Sequence, residues 1–320
     1  MNIEGLREFY RLAGFRVAST STADYLVPGS HLYHGFPIGP MPLPAAEEVA
    51  ALCHHSGILG VEVINDRGVG VSSGLWARRD PSYGERSLQR QFRQHVEHAK
   101  TTQTVREIDF DDLYRWGLES NRETLRRQQR DDLYFSSHQR WKQLCDAGRR
   151  SSGAGVFATF SADELTTYMV YFIVGDTCYG LFSKSRTQAR KTGANHLLYF
   201  IYTQTMLRRP GITGVTAGLQ TIPPLDTVDR FKRHAGYSLE PHHTGVFLRP
   251  WFRGLLQSRL ADAGLRLSAR LLGPKQGLSR IQAVRDATRV RLSDLTSATA
   301  AKVATPRVTD GDWQLPRSNR

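Results

Sequence analysis

The stretch from Lys184 to Tyr237 constrains the fold more than any other part of the chain. It begins with a polar, cationic loop, passes through residues 192–195 (TGAN) into an apolar run with the character of a helix, and breaks at Pro210-Gly211. A β-like piece and a second short helix follow, and Gly236 ends that helix. The change from a helical to a strand pattern and back within this stretch predicts a compact unit of mixed α and β structure.

The loop before the central helix has the properties of an anion-binding site. The first backbone N–H groups of a helix lack partners, and the helix dipole is positive at that end. Gly193 precedes the helix, and Arg186, Arg190 and Lys191 add positive charge to the loop. The alternative is an ordinary strand-to-helix turn with solvated basic residues, since a single glycine is a weaker pattern than a true glycine-rich loop.

The chain before this stretch alternates between helix and strand patterns. From residue 104 to residue 250 the predicted order is strand, two helices, three antiparallel strands, the basic loop, the central helix, strand, helix and strand. Asp109 and Ser137 are expected to cap the two early helices, and residues 165–174 (LTTYMVYFIV) form the most strongly β-like run. Hairpins flanked by helices predict an α+β fold.

Length and composition fit a globular protein with a polyanionic partner. The chain has 320 residues, 40% of them hydrophobic, and a net charge of +13. Residues 251–320 hold 13 basic and 5 acidic residues, a net charge of +8. Residues 251–294 are predicted to form a basic helical extension, either a docked helix pair with a solvated face or a surface for a phosphate backbone. Residues 295–320 are predicted to form a disordered tail.

Several common classes of site and targeting signal are not indicated. The three cysteines are far apart in the sequence and lack metal-binding spacing, so reduced thiols are expected. His95 and His98 share a helix face, but no third ligand accompanies them, and no metal site is predicted. The sequence contains no dinucleotide-binding glycine motif, P-loop or serine-hydrolase elbow. It has no signal peptide and no apolar window of about 18 residues, which predicts a cytoplasmic protein without an integral membrane segment.

Three short motifs resemble those of the FemABX-like aminoacyltransferases, a branch of the GNAT-fold acyltransferases. The first is the segment from Gly193 to Leu198, which opens the central helix. The second is Phe231-Lys232 followed by Gly236, which looks like the FK-x-x-x-G signature of the branch. The third is the basic segment at residues 88–105, which is similar to the join between two GNAT-like halves.

The resemblance implies two GNAT-like halves, each a mostly antiparallel sheet flanked by helices. Residues 1–100 would form a trimmed N-terminal half and residues 101–250 the C-terminal half, without the inserted helical arm of the staphylococcal Fem proteins. The usual GNAT loop pattern is Gln/Arg-x-x-Gly-x-Gly/Ala. This sequence matches it at Arg190 and Gly193 and departs from it at Asn195, which argues against ordinary coenzyme A binding.

The resemblance also implies a reaction. FemABX-like enzymes transfer an amino acid from aminoacyl-tRNA to an amine, so the product here would be a peptide bond in a peptide natural product such as an antibiotic, or in a peptidoglycan precursor. The acceptor would be a small amine, for example a nucleotide-linked peptide, and no resident cofactor is expected. Lys232 would stabilise the tetrahedral oxyanion, and the Phe231 carbonyl would orient the amine.

The remaining site predictions concern the donor, the acceptor and the proton. The phosphates or 3′ end of the donor would be held by Arg186, Arg190, Lys191, Gly193 and Asn195. An anionic acceptor would meet Arg78 and Arg79. A general base is not evident, since the nearby carboxylates are of a kind that more often caps helices or lies on the surface, namely Asp226, Asp229 and Glu240. The donor's own ribose would then shuttle the proton.

Two other functions fit the same sequence. The first is a GNAT N-acyltransferase that uses an acyl-coenzyme A thioester as its donor. The second is a non-catalytic nucleic-acid-binding protein, for which the positive charge alone would suffice. For Lys232 itself the alternative to a catalytic role is a solvated residue on an exposed helix face, which fits the presence of Arg230 and Arg233 beside it.

Overall fold

Helices and strands alternate along the described part of the chain. The computed structural model describes residues 3–28, 31–54, 57–130, 132–222, 224–258, 288 and 307–309. Its helices are α1 (Ile3–Leu12), α2 (Ala46–Cys53), α3 (Arg90–Lys100), α4 (Phe110–Gln128), α5 (Leu133–Ser136), α6 (His138–Arg149), α7 (Ala194–Arg208), α8 (Asp226–His234) and α9 (Pro250–Gln257). Its strands are β1 (Arg16–Ser19), β2 (Asp24–Val27), β3 (Leu32–Phe36), β4 (Gly60–Asn65), β5 (Val71–Arg78), β6 (Thr104–Ile108), β7 (Ala154–Ser161), β8 (Glu164–Val174), β9 (Thr177–Ser185), β10 (Gly214–Leu219), β11 (Ser238–Leu248) and β12 (Arg307–Thr309).

The described strands form one sheet, with the order β12-β1-β2-β3-β4-β11-β5-β10-β9-β8-β7-β6. Neighbouring strands in it are antiparallel, except for the pairs β3–β4 and β9–β10, which are parallel. Strands β7, β8 and β9 form the consecutive antiparallel hairpins that the sequence predicts. A large mixed sheet flanked by helices confirms the predicted α+β class.

The two faces of the sheet bury two different apolar clusters. Successive side chains of a strand point to opposite faces, so Val156 and Tyr168 join one cluster while Phe157 and Met169 join the other. Helices α1, α4 and α6 pack against the first face, and α7 packs against the second together with α3. Because α1 contacts α6 and β8, the N-terminal helix contributes to the core around residues 110–174.

Two helices begin at the capping residues that the sequence predicts. The Asp109 carboxylate accepts the N–H of Asp112 at 2.8 Å at the start of α4. The Ser137 hydroxyl accepts the N–H of Arg140 at 3.5 Å at the start of α6. In both cases a side-chain oxygen satisfies a first-turn N–H that has no acceptor inside the helix.

The strand order differs from the expectation of a separate sheet in each half. Strand β11, from the end of the predicted C-terminal half, lies between β4 and β5 of the N-terminal half and pairs with both. The apolar end of β11 explains this position, since Phe247 is buried in one cluster with Val61 and Val63. One continuous sheet therefore runs through both stretches. The boundaries at residues 100 and 250 stay a prediction.

The C-terminal residues are described only in part. Helix α9 begins the predicted basic extension, of which residues 259–287 and 289–294 lie outside the described residues. Within the predicted disordered tail, Arg307–Thr309 instead forms β12 and pairs with β1, because the edge of a sheet offers unpaired backbone groups to an added strand. The rest of residues 295–320 also lies outside the described residues. None of the described helices combines the length and apolar character needed to cross a membrane.

Candidate active site

Strands β9 and β10 part near the middle of the sheet. They pair in parallel over only three positions, from Gly214 opposite Thr177 to Thr216 opposite Tyr179. After Thr216 the register of β10 against β5 shifts, and Gly218 adopts a φ of +79°, a left-handed conformation that favours glycine. Because the two strands separate here, backbone groups at their ends face a gap in the sheet. Such a gap is a candidate binding site for a substrate.

A cavity of about 300 Å³ occupies this gap. Residues 180–183 of β9 and 217–219 of β10 line it, together with Ile38, Met169 and Tyr199. None of these lining side chains is charged, and the polar groups among them include the hydroxyls of Ser183 and Tyr199, which lie 3.5 Å apart. The cavity therefore suits an uncharged, largely apolar group. Ile38 comes from the loop after β3, so the first hundred residues supply part of the wall.

Lys232 contacts the wall of this cavity through Leu219. Its side chain is buried on α8, with 7% of the residue exposed, and its ammonium donates a hydrogen bond to the Leu219 carbonyl at 3.0 Å. Leu219 itself lines the cavity. Burial lowers the pKa of Lys232 to about 8, although Asp229 opposes that effect. The alternative of a solvated lysine on an exposed helix face is wrong, because α8 turns this one residue of its basic segment toward the sheet.

Asp229 is the nearby acidic residue whose negative charge favours the protonated form of Lys232. It is buried, with 4% of its surface exposed, and its carboxylate accepts hydrogen bonds from the Trp76 indole at 3.2 Å and from the Gln220 amide at 3.3 Å. The sequence alone favoured a cap or a surface charge for this residue. The missed signal is the i, i+3 spacing from Lys232, which puts both side chains on one helix face.

Phe231 belongs to an aromatic cluster beside the site. Its ring contacts those of Phe92, His196 and Tyr199, with centroids 5.3, 5.1 and 5.0 Å away. Its backbone carbonyl accepts the N–H of Ala235 at 3.0 Å, in the ordinary helical pattern. One lone pair of that carbonyl is therefore in use, and its predicted role in orienting the amine depends on the other.

The start of α7 has the geometry expected of an anion site. Gly193 precedes the helix with a φ of +72°, and a Cβ there would lie 2.7 Å from the carbonyl oxygen of His95. The N–H groups of His196 and Leu197 both point to the Gly193 carbonyl. The N–H groups of Ala194 and Asn195 are then the ones that helix geometry leaves without an acceptor inside the helix.

The predicted donor residues fall into two groups in the structure. Asn195 and Arg186 are engaged within the protein: the Asn195 carboxamide oxygen accepts from the Thr167 hydroxyl at 2.8 Å, and Arg186 forms ion pairs with Glu123 and Glu164. Arg190 and Lys191 are exposed on the loop before α7. These two residues and the helix start remain available to a ligand.

Arg127 adds a positive charge to this loop that the sequence did not indicate. Its guanidinium donates to the Ser185 hydroxyl at 3.2 Å, which brings it from the end of α4 to the end of β9. Burial and the nearby positive charge of Arg190 lower the pKa of Arg127. The repulsion between the two guanidinium groups would be relieved by a bound anion.

The two predicted acceptor residues do not join the cavity. Arg78 lies opposite Val215, at the far end of β10 from Leu219, and donates to the Gly236 carbonyl at 3.0 Å and to Asp80 at 2.5 Å. Arg79 pairs with Glu240 at 2.6 Å. Both guanidinium groups tie β5 to neighbouring segments, and an acceptor-binding role for them stays a prediction.

No family model and no curated protein matches the sequence, but the structure is similar to several solved structures. Among solved structures, FemX is 12% identical, covers 79% of this chain and 93% of its own, and has a TM-score of 0.51.

Two further structures have similar values. The C-terminal domain of a putative lysylphosphatidylglycerol synthetase from Agrobacterium fabrum is 13% identical, covers 84% of this chain and 93% of its own, and has a TM-score of 0.51. L-PGS from Bacillus licheniformis is 14% identical, covers 84% of this chain and 92% of its own, and has a TM-score of 0.52. The likeness to these proteins confirms the FemABX-like, GNAT-type fold that the sequence motifs predict.

Proposed function

We propose that this protein is an aminoacyltransferase that moves an amino acid from aminoacyl-tRNA to a small amine and so forms an amide. The observation that carries the proposal is the buried Lys232 ammonium, held 3.0 Å from the Leu219 carbonyl at the edge of an uncharged cavity. A buried charge is costly, and a site that concentrates one beside a substrate-sized gap is a candidate for catalysis. The exposed Arg190 and Lys191 supply the electrostatic attraction for the RNA.

The reaction needs stabilisation of charge more than a strong base. The acceptor nitrogen attacks the ester carbonyl, the bond between that carbon and the ribose oxygen breaks, and one proton passes from the nitrogen to the ribose oxygen. Negative charge develops on the carbonyl oxygen in the tetrahedral intermediate. The ammonium of Lys232 stabilises that charge, and the interaction is strengthened because this side chain is buried.

The cavity between β9 and β10 receives the side chain of the transferred amino acid. Its wall consists of aliphatic and aromatic groups with two hydroxyls, and a volume of about 300 Å³ accommodates one amino-acid side chain. An uncharged residue fits this wall better than a lysyl or aspartyl group, because none of the residues that line the cavity is charged and the burial of a charge among them is costly. The product is an amide in a peptide natural product or a cell-wall precursor.

An acyl-coenzyme A thioester is the second candidate donor. The start of α7 follows β9 after the loop at residues 186–193, and its free N–H groups would suit a pyrophosphate as well as an RNA phosphate. The departure of the loop pattern at Asn195, whose carboxamide is bonded to Thr167, favours the RNA donor.

Retention of labelled donors by the purified protein tests this choice. Aminoacyl-tRNA, the same tRNA without its amino acid, and acetyl-coenzyme A are compared at moderate and high salt. The proposal predicts salt-sensitive retention of charged tRNA above uncharged tRNA, with little retention of the thioester. Tight thioester binding would instead establish the second candidate, and equal retention of both tRNA forms would indicate a nucleic-acid binder.

A matched pair of double variants locates the RNA contact. Arg190→Ser with Lys191→Ser should weaken retention of charged tRNA about tenfold, because two phosphate contacts are lost. Arg115→Ser with Arg122→Ser removes the same charge from the exposed face of α4 and should leave retention nearly unchanged. Equal effects of the two pairs would assign the binding to overall charge alone.

A further inference from the structure

A second cleft lies between α3, α7 and α8, beside the aromatic cluster around Phe231. Its volume is about 370 Å³. Phe92, His196 and Phe231 form its floor, while His95, Thr227 and Arg230 are exposed at its rim. The floor is aromatic and the rim is polar and cationic, a combination that a simple gap between packed helices does not require.

The aromatic rings of the cleft pack against one another. His95 and His196 are stacked, with centroids 4.5 Å apart and an interplanar angle of 30°. Phe92 and Phe231 meet the His196 ring edge-on, at 4.7 and 5.1 Å. Aromatic side chains in such arrangements bind unpaired nucleobases by stacking, because every base has a π-face.

One polar atom beneath the floor of the cleft has no hydrogen-bond partner among the described residues. It is the buried Nδ1 atom of His196. Burial, together with the neighbouring His95, lowers the pKa of His196 to about 4, so the ring is neutral at physiological pH. A buried polar atom normally has a partner, and because Nδ1 is enclosed in the present ring orientation, a heterocycle could bond it only if the imidazole ring turned toward the cleft.

The cleft adjoins both parts of the proposed donor site. On one side His95 contacts Gly193 at the start of α7, since a Cβ at Gly193 would lie 2.7 Å from the His95 oxygen. On the other side the rings of Phe231 and Tyr199, 5.0 Å apart, separate the cleft from the cavity that Tyr199 lines. A ligand in the cleft would therefore lie beside the anion site and one aromatic layer away from the uncharged cavity.

We propose that this cleft binds the terminal adenine nucleotide of the donor, with the base stacked on the outer surface of the ring cluster that contains His196 and Phe231, and a phosphate near Arg230. The inference rests on the proposed function, because it assigns the 3′ end of the tRNA donor to the cleft between α3, α7 and α8. In aminoacyl-tRNA the reacting ester is on the ribose of this terminal adenosine, whereas in acyl-coenzyme A a pyrophosphate and the pantetheine arm separate the adenosine from the thioester. Its volume of about 370 Å³ exceeds that of a single base and leaves room for a ribose.

A pair of tryptophan variants on α8 tests the site directly. Thr227→Trp puts a large ring on an exposed rim position and fills the cleft. Val228→Trp places the same ring on the next residue, which is 37% exposed and does not line the cleft. Binding of AMP, of the trinucleotide CCA and of coenzyme A is measured by titration calorimetry with both variants and the wild type. A third variant, Arg230→Ala, removes the positive charge at the rim and leaves the aromatic floor of the cleft intact.

The inference predicts that AMP and CCA compete for one site, that Thr227→Trp weakens both at least about tenfold, and that Val228→Trp binds like the wild type. Arg230→Ala should weaken the binding of AMP, while adenosine, titrated in the same way, should bind this variant nearly as well as it binds the wild type. Undetectable binding of AMP and CCA by the wild type, or binding unchanged by Thr227→Trp, would overturn it. If coenzyme A binds more tightly than CCA and that binding is lost in Thr227→Trp, the cleft belongs to coenzyme A and its assignment to the tRNA terminus is overturned.

The failure of this site and the failure of the proposed function give different results. Aminoacyl transfer that is equally fast in the wild type and in Thr227→Trp would remove the cleft from the reaction and leave the function in place. Binding of CCA that Thr227→Trp abolishes, without transfer from any aminoacyl-tRNA, would keep the site and remove the function.

Discussion

Lys232 carries its charge in surroundings that disfavour it. Burial lowers its pKa to about 8 from an ordinary value of 10.5, and Asp229 only partly opposes this. Because the folded-state pKa is the lower one, the unfolded chain binds this proton more tightly. The protonated lysine therefore lowers the free energy of unfolding below pH 8, and the effect fades as the pH rises toward 10.5. A buried charge that lowers the free energy of unfolding is better explained by a catalytic role than by a role in stability.

We expect Lys232→Met to stabilise the protein at neutral pH. Methionine is of similar length and carries no charge, so it removes a destabilisation of up to about 3 kcal/mol, while losing one hydrogen bond worth about 1 kcal/mol. The net gain in the free energy of unfolding should be about 1–2 kcal/mol. Denaturant titration at neutral and alkaline pH checks both the sign and the predicted decrease of the gain with pH. A clear loss of stability at neutral pH would contradict this account.

Asp229→Asn should change the pH dependence of turnover. The Asp229 charge raises the pKa of Lys232, so its removal lowers that pKa further and leaves less ammonium at neutral pH. The alkaline decline of the rate, expected near pH 8 for the wild type, should begin at a lower pH in the variant. Asp226→Asn, an exposed change on the same helix, serves as the control. A reduced rate with an unshifted profile would mean that Asp229 acts only as a packing group.

The burial of Lys232 could not be predicted from its local sequence. The segment from Asp226 to His234 is dense in charge, and any of its basic residues could have faced the sheet. The partner that selects Lys232 is the carbonyl of Leu219, at the end of a different element. The resemblance to the FemABX signature identified the residue, while its environment depends on how α8 packs against β10.

At the scale of elements, the turn into α7 depends on Gly193 for two separate reasons. Its φ of +72° is unfavourable for any residue with a side chain, and a Cβ would come within 2.7 Å of the His95 oxygen. Backbone groups on both sides hold these atoms in place, so the contact is hard to relieve. The loop that presents Arg190 and Lys191 is therefore coupled to α3 as well as to α7.

Gly193→Ala should destabilise the protein by about 2–3 kcal/mol and raise the KM for the donor. Gly211→Ala is a matched control, because Gly211 has a similar φ of +82° and a Cβ added there would have no atom within 4 Å. The control isolates backbone strain, about 1 kcal/mol, from the contact with His95. If the two variants lose equal stability and both keep the wild-type KM, the close approach of α3 has no role in the site.

Elements with strong local signals were predictable, and those set by long-range pairing were not. Short local sequence patterns predict the helix caps at Asp109 and Ser137 and the apolar strand β8. Strand β5 lacks such a signal, because residues 72–74 (SSG) interrupt its apolar pattern. The insertion of β11 between β4 and β5 joins segments far apart in the chain, and no local pattern specifies that choice.

At the scale of the whole molecule, the continuous sheet joins residues from distant parts of the chain at one site. Strand β10 pairs with β5 on one side and with β9 on the other, so the gap next to β9 is positioned by strands from both predicted halves. Ile38 completes the cavity wall from the N-terminal stretch. The mixed fold was predictable from the sequence, whereas a cavity assembled from segments this far apart required the structure.

The central claim is that the Lys232 ammonium stabilises the developing negative charge during transfer from aminoacyl-tRNA. Its most direct test is the single-turnover rate of amide formation from aminoacyl-tRNA and an amine acceptor, measured for the wild type and for Lys232→Met at saturating donor. The account predicts amide formation by the wild type and a rate at least about 100-fold lower in the variant, with retention of charged tRNA nearly unchanged. Equal rates in the two proteins, or no transfer by the wild type from any aminoacyl-tRNA, would contradict it.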